Sequence, residues 1–433
     1  MNRYNEYKDS GVKWIGEIPK EWKTEPFSRN FVYGKGLPIT KADLLPTGIA
    51  VISYGQIHSK QNTGTAMDEN LVRYVSPDYL KTNPQSLLQH DDFVFADTSE
   101  DLDGSGNCVF NDYKGLIFAG YHTVIARPLR IKVPKYYAYL FQSKNWKNQV
   151  QTLVNGVKVF SITRGILKKS TILIPTEEEQ RAIVGYLDGK VGKIDLYIAG
   201  AEKKIKALEE LKQTIISEAV THGINPNTPM KNSNIQWIGN VPEHWEVRQI
   251  RNYFTERREK VSDKDYPPLS VAKIGIVPQL DDACKTDNGD NRKLVKAGDF
   301  VVNSRSDRKG SCGVSDLDGS VSLINIVLTP HNLVKKYVHF LFRSNNYIEE
   351  FYRNGRGIVA DLWTTRYSEM RSISIPIPPL EEQHAIVSYI DRKVSQIEQL
   401  RQKELQQIEK LKEYKQRLIS DVVTGKVKVP NIQ

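Results

Sequence analysis

The stretch Trp14-Ile15-Gly16-Glu17-Ile18-Pro19-Lys20-Glu21-Trp22 returns as Trp237-Ile238-Gly239-Asn240-Val241-Pro242-Glu243-His244-Trp245. Both copies read W-I-G-x-[IV]-P-x-x-W. Downstream, Glu179-Gln180-Arg181-Ala182-Ile183-Val184 is matched by Glu382-Gln383-His384-Ala385-Ile386-Val387. A period held at two distant points means that one module has been used twice. This constrains the fold more than any composition figure does, because it asks for two similar heads with similar tails. An enzyme with a single pocket has no such need.

Each copy begins with short apolar and aromatic runs broken by turn residues. Ile49-Ala50-Val51-Ile52-Ser53-Tyr54, Phe93-Val94-Phe95 and Leu116-Ile117-Phe118 read as strands, with turns at Pro46-Thr47-Gly48 and Gly104-Ser105-Gly106-Asn107. Tyr136 to Phe141 suggests a helix beside the sheet, echoed by Tyr337 to Phe342, and Asp92-Phe93-Val94 is echoed by Asp299-Phe300-Val301. These matches place one α+β domain at about 10–175 and another at about 233–378. Trp14 and Trp237 read as anchors at the start of each.

Proline at Ile174-Pro175 and at Ile377-Pro378-Pro379 stops a strand and lets a helix begin. Beyond it, Leu187, Val191, Ile194, Ile198, Ala201, Ile205, Leu208 and Ile215 fall mostly at alternating spacings of four and three, a heptad seam. The second copy offers Ile390, Val394, Ile397, Ile408, Leu411 and Leu418, interrupted at Arg401 and Glu404, where a shift to Leu400 and Leu405 is expected. Gly223 and Gly425 end the two helices. A helix over 178–221 would be a rod of about 60 Å. Each seam needs a partner, and the other copy supplies it if the two helices pack antiparallel; two independent helical hairpins are the alternative.

Hydrophobic content of 39% in 433 residues, with a mean hydropathy of −0.47, fits a globular chain of two or three domains. No run of 18 apolar residues and no apolar N-terminal segment is present, so a cytoplasmic location is expected. Cys108, Cys284 and Cys312 are too few for a disulfide framework and lack zinc-site spacing. Cys108 and Cys312 each follow a glycine by two and read as one position of the repeat, a small buried hydrophobe. A net charge of +10 admits a polyanionic partner without requiring one.

Catalytic signatures are missing. The sequence has no phosphate-binding G-x-x-x-x-G-K-[ST], no H-E-x-x-H, and no Asn-Pro-Pro-Tyr or Asp-Pro-Pro-Tyr run of the kind amino-methyltransferases use. Asp91, Asp92, Asp97, Glu100, Asp101 and Asp103 could be drawn as a nuclease cluster, but a solvated loop is the simpler reading, because the matching loop is basic. That contrast is the most useful local feature. Ala96-Asp97-Thr98-Ser99-Glu100-Asp101-Leu102-Asp103-Gly104 stands against Asn303-Ser304-Arg305-Ser306-Asp307-Arg308-Lys309-Gly310. Matching scaffold with diverging loops is what two different readers need, although surface loops also drift freely. Arg and Lys bond the O6/N7 edge of guanine, and a carboxylate accepts from cytosine N4.

The candidate DNA-contacting residues are therefore Tyr54, Gln56, His58, Lys60 and Ser99, with Lys158 and Arg164 from the basic stretch before the first long helix. The second copy adds Asn303, Arg305, Ser306, Arg308 and Lys309, with Arg356 and Arg366 before the second helix. Lys and Arg on phosphates would set affinity and salt dependence, while polar groups on base edges would set sequence. For each residue taken singly, a solvated surface role is the plain alternative.

With the two W-I-G-x-[IV]-P-x-x-W motifs, Thr221-His222-Gly223-Ile224-Asn225-Pro226-Asn227, Ile377-Pro378-Pro379-Leu380-Glu381-Glu382-Gln383 and Ile174-Pro175-Thr176-Glu177-Glu178-Glu179-Gln180, the chain resembles the specificity subunit of a type I restriction-modification enzyme (S subunit, HsdS family). The motifs run through nearly the whole chain. Thr176-Glu177 departs from the family's usual proline and apolar residue.

The resemblance implies an N-terminal target recognition domain over 1–176, a central conserved helix over 177–222, a second recognition domain over 223–379, a distal helix over 380–425 and a tail over 426–433. It implies an α+β fold in which two tandem recognition domains are separated by two long helices packed as an antiparallel coiled coil. Each domain would read half of a split target in double-stranded DNA, with helix length fixing the spacer. Two modification subunits would supply S-adenosylmethionine and methylation, and restriction (motor-nuclease) subunits would use ATP and magnesium; this chain itself would bind no cofactor and no metal and catalyse nothing. Two rivals stand beside this reading: a coiled-coil scaffold with two protein-binding heads, and a self-contained methyltransferase or nuclease.

Overall fold

The computed structural model describes residues 3–154, 156, 159–280, 289–357 and 363–430. The chain forms two compact units, one made of Met1–Gly200 with Gln406–Gln433 and the other of Ala201–Leu405. Each unit is a head plus part of both long helices, which run over Glu177–His222 and Leu380–Val423.

The first head holds strands β1 (Phe31–Lys35), β2 (Ile49–Ile52), β3 (Arg73–Val75), β4 (Phe93–Ala96), β5 (Cys108–Phe110), β6 (Ile117–Ala119) and β7 (Thr123–Pro128). An antiparallel main sheet has the order β1-β7-β4-β5, and a smaller one the order β6-β2-β3, with β6 parallel to β2. Strand β4 reads Phe-Val-Phe-Ala, all buried, as a central strand covered on both faces should. Its side chains alternate. Phe93 and Phe95 join the large core with helices α1 (Pro134–Gln142) and α2 (Lys144–Gln151), while Val94 and Ala96 join Ile52, Ile117 and Ile125 under the smaller sheet.

The second head repeats the main sheet strand for strand. Strands β8 (Phe254–Glu256), β9 (Arg292–Val295), β10 (Phe300–Asn303), β11 (Cys312–Val314), β12 (Gly319–Val321) and β13 (Asn325–Pro330) include the order β8-β13-β10-β11, followed by helices α3 (Lys335–Phe342) and α4 (Asn345–Arg353). Phe300 and Val302 face the helices and Val301 faces away, the same alternation. The smaller sheet is not repeated: β12 pairs antiparallel with β9, and a hairpin of Leu269–Ala272 with Gly275–Pro278 is added. Cys108 and Cys312 take equivalent buried places, opposite Phe95 and Val302, and burial pushes both thiols up to about 12. They are core residues. Cys284 lies outside the described residues.

The repeated motifs of the sequence meet one another in space. Trp22, fully buried, donates its indole N–H to Glu179 Oε1 at 3.2 Å, and Trp245 does the same to Glu382 Oε2 at 2.8 Å. The following glutamines hold the turn before each helix, Gln180 Nε2 on the Pro175 carbonyl and Gln383 Nε2 on that of Pro378, both at 2.9 Å. Each tryptophan also covers the glycine that ends the other long helix. Gly425 (φ 73°) and Gly223 (φ 80°) occupy the left-handed region, and a Cβ there would lie 3.2 Å from Trp22 and 3.3 Å from Trp245. Tyr136 and Tyr337 complete the plan by donating to the Val423 and Val220 carbonyls at 3.0 and 3.2 Å, groups that a helix end leaves without an intrahelical partner.

Within the first unit the start of one long helix therefore lies beside the end of the other, while Asp195 pairs with Lys415 at 2.6 Å further along. That is antiparallel packing. The second unit has the same arrangement, with Glu382 and Gly223 at Trp245 and an ion pair between Lys204 and Glu404. Leu187, Val191 and Ile194 are buried in the first unit, and Ile390 and Ile397 in the second.

Two expectations need correction. Trp22 and Trp245 close the helix junctions; Trp14 is 39% exposed, whereas Trp237 is half-buried against the core of the second head and meets Tyr347 edge-on at 5.7 Å. The second seam also does not shift at Arg401 and Glu404. Leu400 is 44% exposed, whereas Glu404 stays in register with its side chain only 14% exposed, held by Lys204. Pairing makes the polar residue tolerable in the seam.

Glu179→Ala removes the acceptor from a buried indole N–H and is expected to cost about 1–3 kcal/mol in urea unfolding, whereas Glu179→Gln keeps an amide oxygen and costs less. His339 gives a pH test. Burial, then the charge of Arg343, lowers its pKa from 6.5 to about 4. The unfolded chain takes up that proton first, so stability present above pH 6.5 is lost as pH falls toward 4, by up to about 3 kcal/mol. A His339→Gln variant should show a correspondingly flatter dependence of unfolding free energy on pH across that interval.

Candidate nucleic-acid interface

Both heads gather their diverging segments at one edge of the main sheet, where β4 and β10 end. In the first head, Asp97 donates its N–H to the His122 carbonyl at 3.0 Å and accepts from Ile162 N–H at 2.8 Å. Thr98–Ser99 pairs antiparallel with Phe160–Ser161. Tyr54 N–H reaches the Tyr121 carbonyl at 3.3 Å, and the Tyr54 ring meets those of His58, Tyr121 and His122 edge-on at centroid distances of 6.2, 5.5 and 5.3 Å. Three segments distant in sequence thus converge on Asp97–Ser99.

The second head repeats one of these backbone bonds with other side chains, and its Ser304 hydroxyl donates to the Ile324 carbonyl at 2.6 Å where Asp97 used its N–H. Thr365 N–H donates to the Ser304 carbonyl at 2.9 Å, the counterpart of the Ile162–Asp97 bond. Arg305 and Arg356 both bridge to Thr364, and Ser306 N–H donates to the Trp363 carbonyl at 3.0 Å. This pairing forms a ridge between two depressions. One, of about 620 Å³, is lined by Ser306, Lys309, Trp237 and Trp363; the other, of about 310 Å³, by Arg305, Arg366, Lys293 and Ile324.

The structure sorts the candidates by what their side chains already do. Ser99 is 2% exposed and donates to the Asp101 carbonyl at 2.7 Å. Asn303 is 8% exposed and accepts from Arg305 N–H at 3.1 Å. Gln56 Oε1 accepts from Ser53 N–H at 3.1 Å in a capping box. His58 has both ring nitrogens engaged, Nε2 with the Thr98 carbonyl at 2.8 Å and Nδ1 with Asn107 Nδ2 at 3.2 Å; Asn107 in turn accepts from Lys147 Nζ at 2.7 Å. Burial lowers the Lys147 pKa. These four side chains are thus engaged within the loops, Ser99 and Asn303 buried and Gln56 and His58 half-buried, because short polar side chains beside a strand end find backbone partners first.

Lys60, Arg164, Arg305, Arg308, Lys309, Arg356 and Arg366 are exposed, Tyr54 and Ser306 half-buried, and Lys158 lies outside the described residues. Lys309 pairs with Glu349 at 2.7 Å, Arg308 lies 3.6 Å from Asp307, and Arg356 lies 3.8 Å from Glu369. The acidic residues of the first head do not cluster. Asp92 is fully buried against Arg127, Asp97 meets His122 at 3.2 Å and Asp101 caps Gly104 N–H at 2.6 Å. Among the described residues no group of three or more His, Cys, Asp or Glu is placed to hold a metal ion.

Sequence reasoning missed Thr98, Tyr121 and His122 in the first head and Ile324 and Trp363 in the second. A signal was present. The residues just before β7 and β13 must lie beside those just after β4 and β10, because the paired strands are antiparallel.

The Type I restriction modification DNA specificity domain matches this chain twice, over residues 32–208 and 242–410. The chain belongs to that family. It is similar along its whole length to the putative type I restriction enzyme MjaX specificity subunit of Methanocaldococcus jannaschii, at 25% identity over 98% of both chains. It also resembles the MjaVIII specificity subunit of the same organism, at 23% over 84% of this chain and 88% of that one, and the StySPI specificity subunit of Salmonella potsdam, at 21% over 87% and 83%. A chain from a structure of a type I R-M system shares the fold with a TM-score of 0.64, 16% identity and coverage of 95% and 99%. The HsdS subunit from Thermoanaerobacter tengcongensis aligns with a TM-score of 0.50, 16% identity and coverage of 95% and 98%. The protein is a type I restriction-modification DNA specificity subunit with two target recognition domains.

Proposed function

We propose that each head reads one half of a split target in double-stranded DNA through the loops at the ends of β4 and β10. The observation that carries this is a shared backbone frame filled with opposite chemistry. The first frame presents Asp97, Tyr54 and His122; the second presents Arg305, Arg308 and Arg366 with Ile324. Direct readout needs such variation on a constant scaffold. The exposed cations serve as phosphate contacts, and Arg308→Ala should weaken binding to all sequences alike while reducing the salt slope by about 1.

The long helices dock modification subunits in this reading, with S-adenosylmethionine, ATP and magnesium bound by partner subunits and catalysis confined to them. Leu196 and Tyr197 are 75% and 69% exposed, and Gly189, Gly192 and Gly200 have open space where a Cβ would stand. Interior glycines each weaken a helix by about 1 kcal/mol relative to alanine, a cost that closely packed partner helices would offset. Among the described residues no helix is long and apolar enough to cross a membrane.

Helix length then sets the number of unread base pairs. Inserting about four residues, or about 6 Å of helix, after Glu202 and again after Leu405 should widen the spacer by about two base pairs. Methylome sequencing of a host expressing the chain with its modification subunits reads the target directly. An unchanged spacer in a complex that still methylates would refute the ruler, and methylation without sequence preference would refute the reading of the heads.

A further inference from the structure

His122 sits in the turn before β7 with φ at 54°, a left-handed conformation uncommon for residues other than glycine, though His shares with Asn and Asp a raised tolerance of it. Its backbone is tied down, since the carbonyl accepts from Asp97 N–H at 3.0 Å. Its ring is held as well. Nδ1 lies 3.2 Å from Asp97 Oδ1, which also accepts from Thr98 Oγ1 at 2.8 Å, and the Tyr54 and Tyr121 rings stand edge-on to the imidazole at 5.3 and 6.0 Å. The side chain is nevertheless 56% exposed. An ionised carboxylate only accepts, so the hydrogen between the pair belongs to Nδ1. In the neutral ring Nε2 then carries the lone pair, and among the described residues it has no partner. A rigid, outward acceptor stands where four loop segments meet, whereas His58 nearby has spent both nitrogens inside the protein.

We propose that His122 is a specificity-determining residue of the first head, its Nε2 accepting from the exocyclic amino group of one adenine or cytosine in the half-site that this head reads. In the major groove only adenine N6 and cytosine N4 offer such donors, so a fixed acceptor selects them over guanine and thymine. Asp97, Tyr54 and Tyr121 are positioning residues that hold the tautomer and the ring plane. The second head has Ser304 and Ile324 at the equivalent places, as the pairings Ala96–Thr123 and Asn303–Asn325 show, so the effect is confined to one half-site. The inference rests on the reading of the heads as DNA readers.

The test uses the complex of this chain with its modification subunits at about pH 8. Duplexes carry the methylome-defined target with one adenine or cytosine at a time replaced by an analogue lacking the amino group. His122→Asn and His122→Gly both tolerate the positive φ. For the wild type, the analogue at one position in one half-site should weaken binding by about 2–10-fold, the range of a single neutral hydrogen bond. In both variants that penalty should vanish while every other position keeps its own. Retention of the full penalty at every position would overturn the proposal, as would a uniform loss of affinity for all duplexes. A wild-type complex that discriminates no base in that half-site would instead defeat the reading of the head itself.

Discussion

The bond from a buried indole to the first turn of a long helix is the contact on which each unit depends. Trp22 and Trp245 each hold three things at once: a glutamate at the start of one helix, the left-handed glycine that ends the other, and the core of a head. An indole N–H out of water needs an acceptor, and a helix start supplies one close to its positive end. Bonds from Tyr136 and Tyr337 to helix-end carbonyls and from Tyr139 to Asp188 add to this contact, but only the indole joins both helix ends to the core of a head.

This explains why two motifs far apart in the chain recur together. W-I-G-x-[IV]-P-x-x-W and the Glu-Gln pair are two halves of one junction, and each half is useless alone. It also explains why the last segment, Gln406–Gln433, belongs to the first unit: Tyr7, Tyr136 and Trp22 all touch its end. The same chemistry, used twice, leaves the sheet edge at Asp97 and Ser304 free to vary without disturbing the junction.

Much of the frame was legible in the residues. The apolar runs at Phe93 and Phe300, the prolines before the helices, the heptad spacing and the terminal glycines each have a local physical cause. The site was legible in part. The contrast between the acidic and basic loops is visible in the residues, but not that Ser99, Asn303, Gln56 and His58 already hold hydrogen-bond partners within the loops. Polar residue type does not reveal whether a hydrogen bond is already spent. Leu400 failed for a similar reason, since an ion pair between Lys204 and Glu404 is invisible in either helix alone.

The sequence by itself determined the duplication, the class of each element and the places where the two copies differ, because periodicity, proline and glycine act within a few residues. Only the tertiary structure decided that Trp22 and Trp245 close the helix junctions and that the smaller sheets differ in topology. It also decided that Asp97 fixes His122 while His58 is consumed within the loop. Those outcomes depend on contacts between segments tens of residues apart, and pairing of that kind is set by the whole packed head.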